Sequence, residues 1–226
     1  GIKDSVGSND LTNNGATEIQ TNVWTPRLNA DSDTLPSTAL VSSDLQFNSA
    51  YSSFSLNFDG TGDHINIPDP GSFTSATSFS ISFWDNPASF ASGAGHVVFD
   101  TSNSGFSESI RILYYSGTTM AFRIVTGSGQ SQGTLSTTQT GTWNHYVMVF
   151  DGSLTGNDRL KAYQNGNLLS LTYTGSFPTS MNISESIGIG NFLNTYSAPY
   201  NGKIDELAIF NKALNQAEIT SIYNNG

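Results

Sequence analysis

Beyond residue 53 most of the chain alternates hydrophobic and polar positions with a period of two, the pattern of strands that bury one face. Leu56 and Phe58 alternate into the turn Asp59-Gly-Thr-Gly-Asp63, and His64-Ile-Asn-Ile67 alternates again. Phe79-Ser-Ile-Ser-Phe83 is a half-buried strand, followed by runs at 97–99, 110–115, 119–125, 143–150, 160–164 and 168–173. Ile187 and Ile189 mark another, and 203–210 closes the series. Asn165-Gly166 separates two runs, and both residues tolerate the positive φ of a tight hairpin. Short strands punctuated by Gly and Asn predict an all-β fold, a two-sheet antiparallel β-sandwich or jelly roll. One short helix is expected near the C-terminus, over 216–223, with Ala217, Ile219, Ile222 and Tyr223 as its apolar stripe. Asn215 and Glu218 are spaced as a capping box at its start.

The first fifty residues read differently. They are polar and turn-rich, with one short strand expected over 19–24 and a long surface loop over 25–53 that contains Pro26 and Pro36. Loops of that length are often functional or form interfaces. The length suits one domain, 1–226, in which 1–52 is a polar arm and loop attached to a core sandwich over 53–226.

The register of one hairpin follows from burial. A three-residue loop pairs Tyr115 with Thr119 and gathers Ile110, Ile112, Tyr114, Met120, Phe122 and Ile124 on one face. A two-residue loop would mix Arg123 into that face. The favoured register leaves Arg111, Leu113, Tyr115, Ala121 and Arg123 outside, with Arg111 directly opposite Arg123. Like charges so placed are unfavourable unless neutralised. Glu108 or a neighbouring acidic loop is the expected partner; the alternative is an anion or polyhydroxyl ligand held by both guanidiniums beside Tyr115.

The closing strand holds the other candidate. Simple alternation puts Asp205 on one face with Leu207 and Ile209, and a carboxylate facing the core needs a pair, N–H donors or a metal.

Composition narrows the function. Only 12% of residues are charged, and the formal charge of −10 argues against nucleic acid or an anionic membrane as partner. The absence of Cys excludes disulfides, thiolate zinc and a Cys nucleophile. His64, His96 and His145 lack zinc spacing, with His145 expected to be a hydrogen-bonded structural residue. No G-x-S-x-G elbow is present. No apolar run reaches membrane-spanning length, and no signal peptide is visible. The start at Gly1 without Met leads us to expect a processed product or a piece of a longer chain.

Several stretches resemble the laminin-G-like, concanavalin A-like jelly-roll superfamily. They are Leu56-Asn-Phe-Asp-Gly-Thr-Gly-Asp-His-Ile, Phe79-Ser-Ile-Ser-Phe-Trp84, Gly141-Thr-Trp-Asn-His-Tyr-Val147, Tyr163-Gln-Asn-Gly166 and Gly202-Lys-Ile-Asp-Glu-Leu-Ala-Ile-Phe-Asn-Lys-Ala-Leu214. The resemblance implies two packed sheets of about six or seven strands each, often with one structural Ca²⁺. Asp205 matches the strand aspartate that ligates this ion in relatives. Asp63 and Asp59, in the glycine-rich turn of the neighbouring first strand, would complete the site. The alternative is that Asp59 merely forms the turn and Asp205 caps backbone N–H groups.

Members of the superfamily include sugar-binding and adhesion modules, accessory domains of secreted enzymes, and parts of phage and viral particles. Its glucanases carry Glu-x-Asp-x-x-Glu on one strand. None of the five glutamates (Glu18, Glu108, Glu185, Glu206, Glu218) fits that pattern, so a non-enzyme is expected. The leading expectation is a recognition or structural module on the extracellular or virion surface, with protein partners in a larger assembly and glycans as further ligands. A calcium-stabilised lectin-like domain is the alternative, and a glycoside hydrolase is disfavoured. Ligand-binding candidates are Arg111, Tyr115 and Arg123 on the hairpin and the loop aromatics Trp24, Tyr196 and Tyr200.

Overall fold

The computed structural model of the protein describes residues 12–14, 17–20, 54–90, 95–101, 108–115, 119–127, 129–136, 140–195 and 197–225. These form two antiparallel sheets packed face to face. One has eight strands, in the order β1 (Thr12–Asn14), β4 (His64–Ile67), β14 (Ile187–Ile189), β6 (Gly95–Asp100), β7 (Ser109–Tyr115), β8 (Thr119–Thr126), β9 (Gly129–Ser136) and β13 (Thr172–Thr174). The other has seven: β12 (Asn167–Leu168), β11 (Leu160–Gln164), β10 (Asn144–Asp151), β5 (Ser78–Pro87), β15 (Asn201–Phe210), β3 (Phe54–Asp59) and β2 (Thr17–Gln20).

The alternating apolar residues meet between the sheets. Phe79, Ile81 and Phe83 of β5 face Ile110, Ile112 and Phe122 of β7 and β8 across a core in which all are fully buried. Phe79 stacks on Phe150 with ring centroids 5.1 Å apart, and Phe73 meets Phe79 edge-on at 5.1 Å. Burying each such ring contributes on the order of 2–3 kcal/mol.

The β7–β8 hairpin takes the register that burial selects, Tyr115 opposite Thr119 and Arg111 opposite Arg123. Asn165 and Gly166 carry φ of 50° and 76°, as the hairpin between β11 and β12 requires. The run at 168–173 is not one strand. β12 pairs with β11, and the chain then crosses to join the edge of the eight-stranded sheet as β13. β1 and β9 were not expected from the pattern. The loop at 25–53 lies outside the described residues.

The helix α1 (Gln216–Asn225) covers the outer face of the seven-stranded sheet. Leu214 and Ile219 are buried against Val147, Val149 and Tyr163, and Tyr223 stacks on Trp84 at 5.7 Å. Ala217 is exposed and lies off the stripe. The capping box closes reciprocally: the Asn215 N–H donates to Glu218 Oε2 at 2.9 Å and the Glu218 N–H to Asn215 Oδ1 at 3.0 Å.

β15 corrects the alternation expected for Asp205. A β-bulge lies between Asp205 and Ala208 in the pairing with β5, with Glu206 at φ 48°. One extra residue reverses the parity. Ile204 and Ile209 therefore both face the core, opposite Asp85 and Ile81, while Asp205 pairs with Trp84 on the outer, helix-covered face.

Candidate ligand-binding face

α1 covers the outer face of the seven-stranded sheet, and the hairpin candidates lie on the outer face of the other, eight-stranded sheet. Pairing puts Gly188, Asp100, Arg111, Arg123, Gln132 and Thr174 in one straight row across β14, β6, β7, β8, β9 and β13. The β6–β8 half is roofed by the segment after β14. Gly190 turns the chain there at φ 84°; a Cβ at this position would lie 2.3 Å from the Phe58 ring. Asn191 then staples the segment, its Oδ1 accepting the N–H groups of Phe192 (2.9 Å) and Ala198 (3.0 Å). Phe192 lies over Arg111, 5.4 Å from guanidinium carbon to ring centroid. Val97, Leu113, Ala121 and Ala198 form a small apolar cluster beneath.

Asp100, not Glu108, answers Arg111. It lies directly opposite on β6, wholly buried, 3.2 Å from Arg111 Nε. Arg123 is held otherwise. Its guanidinium sits 4.6 Å from the Tyr115 ring centroid, and its Nε–H donates to Gln132 Oε1 at 3.1 Å. That oxygen also accepts from Gln130 Nε2 (3.3 Å) and the Tyr115 hydroxyl (3.4 Å). Three donors on one carbonyl oxygen fix the orientation of a planar amide, a guanidinium and a phenol. On the β9–β13 side the face opens: Gln130, Ser136, Thr172 and Thr174 are exposed and Gln132, Thr134 and Tyr115 half-buried.

The hairpin residues Arg111, Tyr115 and Arg123 are thus brought together as expected, with Gln130 and Gln132 added. Tyr200 is not a surface residue. It is fully buried, packed against Phe58 at 6.0 Å and Tyr114 at 6.5 Å, and belongs to the core. Trp24 and Tyr196 lie outside the described residues.

The three aspartates do not converge. β15 pairs with β3 so that Asp59 is opposite Asn201, four residues from Asp205, which at roughly 3.3 Å per residue is about 13 Å along the strand. Asp59 Oδ1 accepts the N–H (2.8 Å) and hydroxyl (2.6 Å) of Thr61, and Asp63 Oδ2 accepts the Asp59 N–H at 3.1 Å. These bonds close a turn, and those from Thr61 hold the Asp59 carboxyl below its ordinary pKa. Asp205 Oδ1 accepts the Glu206 N–H at 2.8 Å, bracing the bulge. Among the described residues no group of three or more Asp, Glu, His or Cys side chains is placed to hold a metal ion.

The inward-facing carboxyl that sequence reasoning sought on β15 is Asp85 of β5. It is fully buried, accepts the Tyr114 hydroxyl at 2.8 Å, and adjoins Tyr200. Burial pushes its pKa up to about 7, although the tyrosine bonds oppose the rise. His145 lies on the opposite face of the same sheet, its Nε2 2.8 Å from Ser82 Oγ, and burial draws its pKa down to about 4.

Comparison with known proteins places this geometry. No curated protein matches the chain in sequence. Among solved structures, domain 4 of AbnA, an extracellular GH43 arabinanase of Geobacillus stearothermophilus, in complex with arabinotriose, matches at 18% identity and TM-score 0.57, over 92% of this chain and 87% of that one. The binding domain of botulinum neurotoxin serotype G matches at 13% and 0.60, over 92% and 46%. That of botulinum neurotoxin DC, in complex with SialylT, matches at 18% and 0.58, over 79% and 44%. The chain spans less than half the length of these two toxin domains, and at such identities the likeness concerns the fold. The model of the Laminin_G_3 family matches residues 59–220, well over half the chain, and the protein therefore belongs to the concanavalin A-like lectin/glucanase superfamily.

Proposed function

We propose that the protein is a non-catalytic carbohydrate-recognition module that binds its ligand on the outer face of the eight-stranded sheet. The observation that carries this reading is the convergence of Arg123, Gln130 and Tyr115 on Gln132 Oε1. Sugar hydroxyls are matched by planar groups whose donors and acceptors are already oriented, and sugar C–H faces by an aromatic ring. Preorganised groups lose less freedom on binding. Here the preorganised cluster opens onto the row of exposed Gln130 and Ser136 and half-buried Thr134.

Catalysis finds less support. A retaining glycosidase needs two facing carboxyls about 5–5.5 Å apart. The carboxylate of the polar row, Asp100, is wholly buried and paired with Arg111. In the same reading the domain works at an extracellular or virion surface, attached to a larger assembly that sets its role.

A glycan array followed by titration calorimetry tests the proposal. At least one oligosaccharide should bind, and Gln132→Ala and Tyr115→Ala should each weaken it by about tenfold, the worth of one or two lost hydrogen bonds. Both variants should retain the wild-type circular dichroism spectrum. Sugar binding untouched by either change would move the site elsewhere, and release of reducing ends would make the protein an enzyme.

A further inference from the structure

We propose that the saccharide recognised on this face carries an oxyanion, a carboxylate or a sulfate, and that Arg123 selects it. This rests on the outer face being a saccharide site and goes on to name the ligand class.

Charge along the row is unequal. Asp100, Arg111, Arg123 and Gln132 are successive cross-strand neighbours, so two guanidiniums share one carboxylate. That carboxylate stands beyond Arg111, on the side away from Arg123. Arg123, only 7% exposed, is given neutral partners: the Tyr115 ring and the Gln132 carbonyl oxygen. No carboxylate among the described residues forms an ion pair with it. A nearly buried cation opposite a like charge is unfavourable by itself. Burial first, and then the charge of Arg111, bring its pKa down to about 10, so it remains a cation at neutral pH.

An oxyanion on the ligand would balance the row. It would meet a guanidinium whose Nε–H is already fixed on Gln132, leaving the terminal nitrogens as the fork that suits carboxylate or sulfate. Because Arg123 is only 7% exposed, a small group is what would reach it, while the ring bearing that group would rest on the row of Gln130, Thr134 and Ser136. The chain's formal charge of −10 makes its average field repel anions. A preference for acidic ligands must therefore arise from a local cation.

The test is an array of matched oligosaccharides: uronates with their methyl esters, and sulfated with unsulfated forms, each pair then titrated by calorimetry. The acidic member of at least one pair should bind about tenfold or more tighter than its neutral match, as a charge-assisted hydrogen bond would give. Arg123→Gln should abolish that preference, weakening the acidic member about tenfold more than it weakens the neutral one. Arg123→Lys should keep part of it, with circular dichroism confirming the fold of both. If Arg123→Gln does not fold, Arg123→Lys and the wild-type pairs decide. Equal binding of acidic and neutral members, or a preference that survives Arg123→Gln, overturns the inference alone. No saccharide bound at all overturns the proposed function with it.

Discussion

Asp85 and Asp100 are both completely buried, yet their surroundings could hardly differ more. Asp85 lies between the sheets, where its neighbours are the hydroxyls of Tyr114 and Tyr200. Burial raises its pKa to about 7, so the interior carboxyl is eased by keeping its proton. Asp100 lies on the outer face and meets a guanidinium 3.2 Å away. One region is thereby structural and the other suited to recognition. Below about pH 7 the protonated, buried Asp85 leaves nothing for a ligand to answer, whereas the ion pair extends into a charged row whose last cation lies toward the β9–β13 side of the sheet.

The sharpest way to break the contrast is to remove charge from the outer row. Asp100→Asn should destabilise the fold by about 3–5 kcal/mol, because Arg111 then stays buried without its counter-ion. Urea denaturation measures this, and a loss below about 1 kcal/mol would put Asp100 in the same class as a surface ion pair.

A slightly smaller effect should appear at Asp85, as a dependence on pH. Its folded pKa of about 7 lies above the ordinary 3.8, so between these values the folded state holds a proton that the unfolded state has lost. The stability contributed by Asp85 should fall as pH rises from about 4 to about 7 and stay lower above that, a difference of up to ~4 kcal/mol. His145 acts in the opposite sense. Its folded pKa of about 4 lies below 6.5, so the unfolded state binds the extra proton and stability should rise with pH over that window. The wild-type profile should therefore be shallow. Asp85→Asn should expose the rising slope of His145, and His145→Gln the falling slope of Asp85. Melting temperatures across this range check both; a profile unchanged by Asp85→Asn would mean that the carboxyl is not held protonated.

Much of this architecture was legible from residue pattern. The β7–β8 register followed from burial alone, and the capping box from the spacing of Asn215 and Glu218. Asp85 was legible too: the alternation Phe79, Ile81, Phe83 places it inward when carried two residues further. Asp205 misled because alternation assumes an unbroken ladder, and a bulge with Glu206 in the left-handed region leaves no periodic trace. β9 escaped for another reason. Its inward Gly133 has no side chain because Leu171 and Tyr173 close over it; a Cβ there would lie 2.7 Å from Leu171. Its inward Ser131 donates its hydroxyl to the Ser176 carbonyl oxygen at 2.7 Å. No apolar alternation remains to be seen, and with β9 went Gln130 and Gln132. Arg111 and Arg123 were found as an electrostatic anomaly, but Asp100 is distant in sequence and enters only through strand pairing.

Chemical-shift mapping of the backbone amides, during titration with an oligosaccharide that the array identifies, locates the ligand most directly. The predicted result is a contiguous set of shifts over Tyr115, Arg123, Gln130, Gln132 and Thr134, on the outer face of the eight-stranded sheet. Shifts confined to the helix-covered face, or to the turn between Asp59 and Asp63, would contradict it.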